Sequence, residues 1–365
     1  MSKTKVASVG GEHVLVQEAH KGSAAALRKL IQAALKVQAF NDLDKWLNVA
    51  LDYELSEFYD LRIRLWLADM WGPWPWEKID ALLDTLGESH TDYFWLKSKV
   101  ALFLGGDCRD PLIRGEMADD LRCAIVMALF GFLDGNHEQG RQRMFELSKQ
   151  GQNFARLAVS SGLVDYEATS EDYLIDQSIG LKGLDHFVHP LVCKWVVAQY
   201  GGYCKRSMIV DPVSGERKID PYRVSSSCTI LPPIEDPIVF ELKKRMASQQ
   251  GISLECVEPF SMIHYREGDE YKLHFDALPQ EALKNGEAQR TRTSILYLND
   301  EFRGGETRFP RIAKTVTPKT GRLITFNNTV THDQTPMPNS LHAGSPIAQG
   351  NKFILTLWGR GAPPE

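Results

Sequence analysis

The chain has 365 residues, with 42 Lys+Arg against 47 Asp+Glu and a formal net charge of -5; 43% of it is hydrophobic and 24% charged. That length suggests about two domains, and the composition excludes disorder, collagen and coiled coil as whole-chain descriptions. Without a basic excess, a dedicated nucleic-acid binder is set aside.

The first half reads as helices. From Ser23 to Leu51 apolar residues such as Leu27, Leu30, Ile31, Leu43, Trp46 and Leu47 recur at steps of three and four. Similar stretches run over Leu55–Met70, Ile79–Leu86, Trp95–Leu104, Leu121–Leu133, Gln139–Leu147 and Phe154–Leu163, separated by turns such as Asp134-Gly135-Asn136. Short helices joined by tight turns predict stacked helical hairpins. The segment Cys123–Leu163 resembles short tetratricopeptide-like repeats. Around Gly72-Pro73 stand Trp66, Trp71, Trp74 and Trp76, which read more readily as a core plug than as a recognition surface.

After Asp165 the pattern changes. A helix is predicted over Phe187–Tyr200 and another over Asp236–Gln249. Between and beyond them come short apolar runs at Met208–Val210, Cys228–Leu231, Phe260–Tyr265, Ser294–Leu298, Leu323–Phe326 and Phe353–Trp358. These are strand signals at sandwich-like spacing. Polar loops over Asp211–Tyr222 and Ala277–Gln289 separate some of them. Charge changes too: net -8 in residues 1–180, net +3 in 181–365. The expected organisation is α+β: a helical domain over 1–165 and an antiparallel double-sheet barrel over 166–365.

Six cysteines (Cys108, Cys123, Cys193, Cys204, Cys228, Cys256) are scattered without a Cys-x-x-Cys pair, which argues against structural zinc and a disulfide framework. No apolar run reaches membrane-spanning length and no signal-peptide pattern opens the chain. A cytoplasmic protein with no membrane partner is expected.

The chemistry concentrates in the second half. His274-Phe275-Asp276 offers two ligands two residues apart, which on a strand share one face. His342 is the third-ligand candidate, with His332 its competitor. Two imidazoles and one carboxylate form the facial triad of non-haem Fe(II) oxygenases. Lys352 stands ten residues beyond His342 and opens the apolar run Phe353–Trp358, whereas His332 has no such lysine. A buried ammonium is costly without a carboxylate, and 2-oxoglutarate supplies one while chelating iron at its other end.

At these residues the sequence resembles the prolyl 4-hydroxylase catalytic domain. The resemblance runs through Tyr265, Tyr271-Lys272-Leu273-His274-Phe275-Asp276, Arg290, Leu296-Tyr297-Leu298, Gly304-Gly305-Glu306-Thr307 and Phe309-Pro310. It continues through Pro318-Lys319-Thr320-Gly321, Phe326, Ser340-Leu341-His342-Ala343-Gly344-Ser345-Pro346, Gly350-Asn351-Lys352 and Trp358. It covers residues 185–360 and leaves out the first 165. Upstream, Arg223-Val224-Ser225 stands where the family has Arg-Thr-Ser. The resemblance implies a double-stranded β-helix (jelly-roll or cupin-like) fold and His274, Asp276 and His342 as iron ligands. Lys352 would hold the distal carboxylate of 2-oxoglutarate, helped by Thr307 or the Tyr265 hydroxyl. Arg290 would stand near the substrate, with Arg292 as its competitor, and Trp358 would line the pocket. The loops 211–223 and 277–289 would close over the substrate. Dioxygen is the implied co-substrate and ascorbate the implied reductant.

The function implied is hydroxylation of an unactivated C–H in a prolyl residue or proline-like substrate, with decarboxylation of 2-oxoglutarate to succinate. Fold does not fix substrate, so a free amino or imino acid such as proline or pipecolate competes with a proline-containing peptide. A catalytically inactive helical interaction protein is the alternative of another class; the intact triad with Lys352 speaks against it. A zinc hydrolase leaves Lys352 unexplained.

Overall fold

The computed structural model describes residues 6–69, 72–210, 217–219, 223–284, 286–330 and 335–362. It divides into two compact units, Met1–Arg114 and Gly115–Glu365.

The first unit is built of helices. Ala24–Val37 presents Ala26, Leu27, Ile31 and Ala34 to the same core that Phe40–Asp52 fills with Leu43, Trp46, Leu47 and Ala50. The three-and-four spacing of these residues makes each helix a one-sided wedge. The Ser23 hydroxyl accepts the Ala26 amide at 3.4 Å and caps the first of them. Trp76 is buried and stacks on Phe103 with ring centroids 4.5 Å apart, as a core plug should. Trp71 lies outside the described residues.

The second unit begins earlier than the change of sequence pattern at residue 165. Its helix Leu121–Leu133 is buried over every residue from Cys123 to Leu133, and a helix apolar all round needs neighbours on every side. It contacts His137–Lys149, Pro190–Tyr200 and Pro237–Gln250. Arg245, on the last of these, donates to the Leu133 carbonyl and pairs with Asp134 at 2.9 Å. Helices that read as part of the first half thus pack with the strand-rich half.

That half holds two main sheets. The larger has eight strands, here numbered with the rest in chain order: β1 (Glu171–Asp176), β2 (Leu181–Asp185), β3 (Lys205–Arg206), β7 (Ser226–Ile230), β8 (Phe260–Tyr265), β10 (Arg290–Tyr297), β14 (Leu323–Asn327) and β17 (Lys352–Arg360). Their spatial order is β1-β2-β14-β10-β17-β8-β7-β3. The smaller sheet has the order β13-β12-β15-β9-β6, made of β6 (Arg223–Val224), β9 (Glu270–His274), β12 (Thr307–Phe309), β13 (Lys314–Val316) and β15 (His342–Gly344). Two-stranded ribbons complete the set: β4 (Met208–Val210) with β5 (Arg217–Ile219), and β11 (Arg303–Gly304) with β16 (Ile347–Gln349). All strand pairs are antiparallel. Ile263, Ile295, Tyr297 and Ile354 of the large sheet meet Phe309, Val316 and Ile347 in one core. This is the expected double-stranded β-helix.

The loop expected over Ala277–Gln289 contains a short helix, Gln280–Lys284; most of the loop over Asp211–Tyr222 lies outside the described residues. One turn between strands is sterically closed. Gly321 has φ +78, and a Cβ there would stand 2.1 Å from the Val188 carbonyl oxygen. Gly321→Ala is expected to cost about 2–4 kcal/mol, read as a lower urea midpoint at unchanged slope.

Candidate metal centre

Register brings the site together. On adjacent strands β9 and β15, His274 and His342 are direct partners, and their rings lie 4.2 Å apart. The strand ends at His274, so Asp276 reaches the site from the bend beyond it, not from the same strand face. Its carboxylate oxygens stand 3.6 Å from His274 Nε2 and 3.6 Å from His342 Nε2. One ligand atom from each of the three residues lies within 4.8 Å of the others.

The other ring nitrogens fix the tautomers. His274 Nδ1 is 2.7 Å from the Lys272 carbonyl and His342 Nδ1 is 2.9 Å from the Ser340 carbonyl. A carbonyl can only accept, so each Nδ1 carries the hydrogen and each Nε2 offers its lone pair to the centre. Burial holds His342 down to about 4, against the pull of Asp276, so its ring is neutral near pH 7. Asp276 is also buried, which by itself would raise it. His342, His274 and the Thr293 hydroxyl outweigh that and hold the carboxyl well below its usual range.

Sequence reasoning missed the support of Asp276. Thr293 Oγ1 donates to it at 2.7 Å and accepts from Asn328 Nδ2 at 2.9 Å. No local pattern marks either residue; only the pairing of Thr293 with Phe326 on β14 brings Asn328 near. Thr293→Val is expected to weaken divalent-metal binding about 10–100-fold, with Thr293→Ser restoring most of it. Calorimetric titration with Fe(II) or Co(II) checks this.

Lys352, directly opposite Tyr265 on β8, is 3% exposed. Its Nζ donates to the Gly305 carbonyl at 2.6 Å and lies 5.3 and 5.4 Å from the ring centroids of Tyr265 and Tyr297. Among the described residues no carboxylate pairs with it. Burial pushes the ammonium down to about 7, with Glu306 the one charge opposing that. Gly305 makes the approach possible: at φ +73 its Cβ would fall 2.6 Å from Ile347 and 3.2 Å from the Lys352 side chain.

A cavity joins these groups, lined by the triad, Lys352, Tyr265, Thr307 and Trp358, with Ile263, Ile295 and Ile354 as apolar walls. Thr307 Oγ1 shares a hydrogen bond with Tyr297 Oη at 2.6 Å. The Trp358 indole N–H is buried without an acceptor among the described residues, and a bound polar group would supply one. Arg290 does not line the cavity. Its guanidinium grips Glu258 at 2.6 and 2.8 Å and covers the Trp358 ring at 4.0 Å. It therefore supports the pocket wall, because its anionic partner is internal. His332 lies outside the described residues. The donor set of two imidazoles and a carboxylate fits Fe(II), and the buried Lys352, with no carboxylate partner among the described residues, fits one end of a dicarboxylate.

Comparison with known proteins agrees with this geometry. Residues 260–360 match the family model of the 2OG-Fe(II) oxygenase superfamily. "Probable prolyl 4-hydroxylase 3" of Arabidopsis thaliana is 29% identical over 192 residues, 47% of this chain and 66% of the relative. "Prolyl 4-hydroxylase subunit alpha-1" of Mus musculus is 29% identical over 158 residues, 42% of this chain and 29% of the relative. The chain thus spans less than two thirds of either relative. Among solved structures, the viral collagen prolyl hydroxylase of Paramecium Bursaria Chlorella virus-1 is 22% identical at a TM-score of 0.39, covering 49% of this chain and 94% of its own. The region that carries the triad and Lys352 thus matches the 2OG-Fe(II) oxygenase family model and is similar in sequence to the prolyl 4-hydroxylases.

Proposed function

We propose that this chain is a 2-oxoglutarate-dependent dioxygenase that hydroxylates a prolyl residue within a peptide or protein. The observation that carries it is the buried His274–Asp276–His342 centre sharing one cavity with an ammonium that lacks a carboxylate. Iron, 2-oxoglutarate and dioxygen together supply the oxidation of an unactivated C–H bond, with succinate and carbon dioxide as by-products. The protein's part is geometric. His274, Asp276 and His342 would hold the metal, Lys352 would anchor and orient the dicarboxylate, and the isoleucine walls would limit the access of bulk water. Ascorbate is the proposed reductant.

A peptidyl substrate is favoured over a free amino acid by charge. Apart from the metal ligands and Lys352, no ionised carboxylate, ammonium or guanidinium lines the cavity among its described residues. A free α-carboxylate would need a cation there; Arg290 and Arg360 are both engaged with Glu258, and Arg223, 5.7 Å from the ring of the lining Tyr271, and Arg292 are not among the lining residues. Succinate release with Fe(II), 2-oxoglutarate and ascorbate tests this: turnover and a gain of one oxygen are expected with proline-containing peptides. Turnover of free proline or pipecolate alone overturns the peptidyl reading. No succinate with any candidate, even uncoupled, overturns the oxygenase reading.

A further inference from the structure

Two thiols outside the metal site face each other. Lys205 and Arg206 on β3 pair with Ser227 and Ser226 on β7. Continuing that register by one residue places Cys204 opposite Cys228, and their Sγ atoms are 3.6 Å apart. Residues directly opposite in an antiparallel pair have Cα atoms about 4.5–5.5 Å apart, inside the roughly 4.4–6.8 Å that a disulfide spans. Bond formation therefore needs side-chain rotation and no rebuilding of the strands. Both residues are half-buried. The other four cysteines have no second thiol in such a contact among the described residues.

We propose that Cys204 and Cys228 form a reversible thiol–disulfide pair that fastens β3 to β7 under a low-molecular-weight disulfide oxidant such as glutathione disulfide. The Cys204 thiolate attacks the oxidant, forming a mixed disulfide and releasing one glutathione thiolate. The Cys228 thiolate then attacks the Cys204 sulfur, the intramolecular S–S bond forms, and the second glutathione leaves. The protein loses two electrons and two protons; one glutathione disulfide gains them as two thiols. Contact with Cys228 holds the Cys204 thiol below the ordinary range, while the same contact raises Cys228, so Cys204 attacks first. Two sulfurs already in contact make the second step effectively unimolecular.

The bond would close a ring holding β4, β5 and β6. β6 pairs through Arg223 with Tyr271 on β9, and the Tyr271 ring stacks on the metal ligand His274 at 3.5 Å. The pair thus ties the edge of the eight-stranded sheet to the segment that reaches the metal-bearing sheet.

Reduced full-length protein equilibrated with glutathione disulfide and digested without reductant tests the proposal by mass spectrometry. The expected product is a Cys204–Cys228 linked peptide lighter by two hydrogens, reversed by dithiothreitol. Hydrogen exchange in β3 and β7 should slow about tenfold on oxidation, because the link suppresses local opening. Cys228→Ser should instead accumulate glutathione on Cys204, since no thiol remains to resolve it. Glutathione adducts on the folded wild type without a linked peptide would overturn the proposal. So would a link that forms only after unfolding in urea. Mapping the wild type keeps the proposal testable if the serine variant fails to fold.

Discussion

His342→Ala removes the metal from the centre, and turnover falls by about 10³-fold or more, which corresponds to about 4 kcal/mol of lost stabilisation. The reason lies in what remains. His274 Nε2 and the Asp276 carboxylate are still 3.6 Å apart, but two ligands no longer cap one face of an ion. The ring is also part of the core: it packs on Phe309 and Phe326 with centroids 5.5 and 5.0 Å away. Alanine therefore leaves a cavity, and the melting temperature should fall even without metal. His342→Gln separates the two effects by keeping much of the volume. Co(II) titration followed by its visible absorption reads the metal directly, with no substrate needed. A variant that bound Co(II) as tightly as the wild type would show that His342 is not a ligand.

The candidate ligands were legible because their chemistry is spelled in short sequence: a His-x-Asp step, then a histidine with a lysine ten residues on. The strands Phe260–Tyr265 and Leu323–Asn327 were legible for a similar reason, being nearly continuous apolar runs buried on both faces. β1 was not. Three of its six residues, Glu171, Asp172 and Asp176, are acidic and none of the six is fully buried, so no apolar alternation announces an edge strand; pairing with β2 makes it one. The partner of Arg290 was hidden for another reason. Glu258 is 32 positions away and reaches it because Val257 bridges to Gly359 beside the end of β10. Likewise the helix Leu121–Leu133 announced itself as a helix, while the neighbours that bury it on all sides are set by tertiary packing. Local periodicity encodes elements, and long-range pairs decide what a charged side chain faces.

Lys352 should make 2-oxoglutarate binding a proton-uptake reaction. In the free protein, burial holds this ammonium down to about 7, from an ordinary lysine value of 10.5. At pH 8 most of the folded protein then carries a neutral Lys352. A dicarboxylate placed against Nζ restores the charge, because an opposite charge in a buried site favours the ionised form. Binding at pH 8 should therefore take up close to one proton, and its heat should differ between phosphate and Tris by the difference in buffer ionisation enthalpy. Below about pH 6 the lysine is already charged and the uptake should vanish. The same shift affects folding. Between pH 7 and 10.5 the unfolded chain binds a proton that the folded protein does not, so this group makes stability rise with pH across that window and level off below it. Lys352→Met removes both signatures. It should also weaken 2-oxoglutarate binding on the order of 10²–10³-fold, since one partner of a buried charge pair is lost, while leaving Co(II) binding within a few-fold. Uptake that persisted in Lys352→Met would assign the proton to another group and detach the co-substrate carboxylate from Lys352.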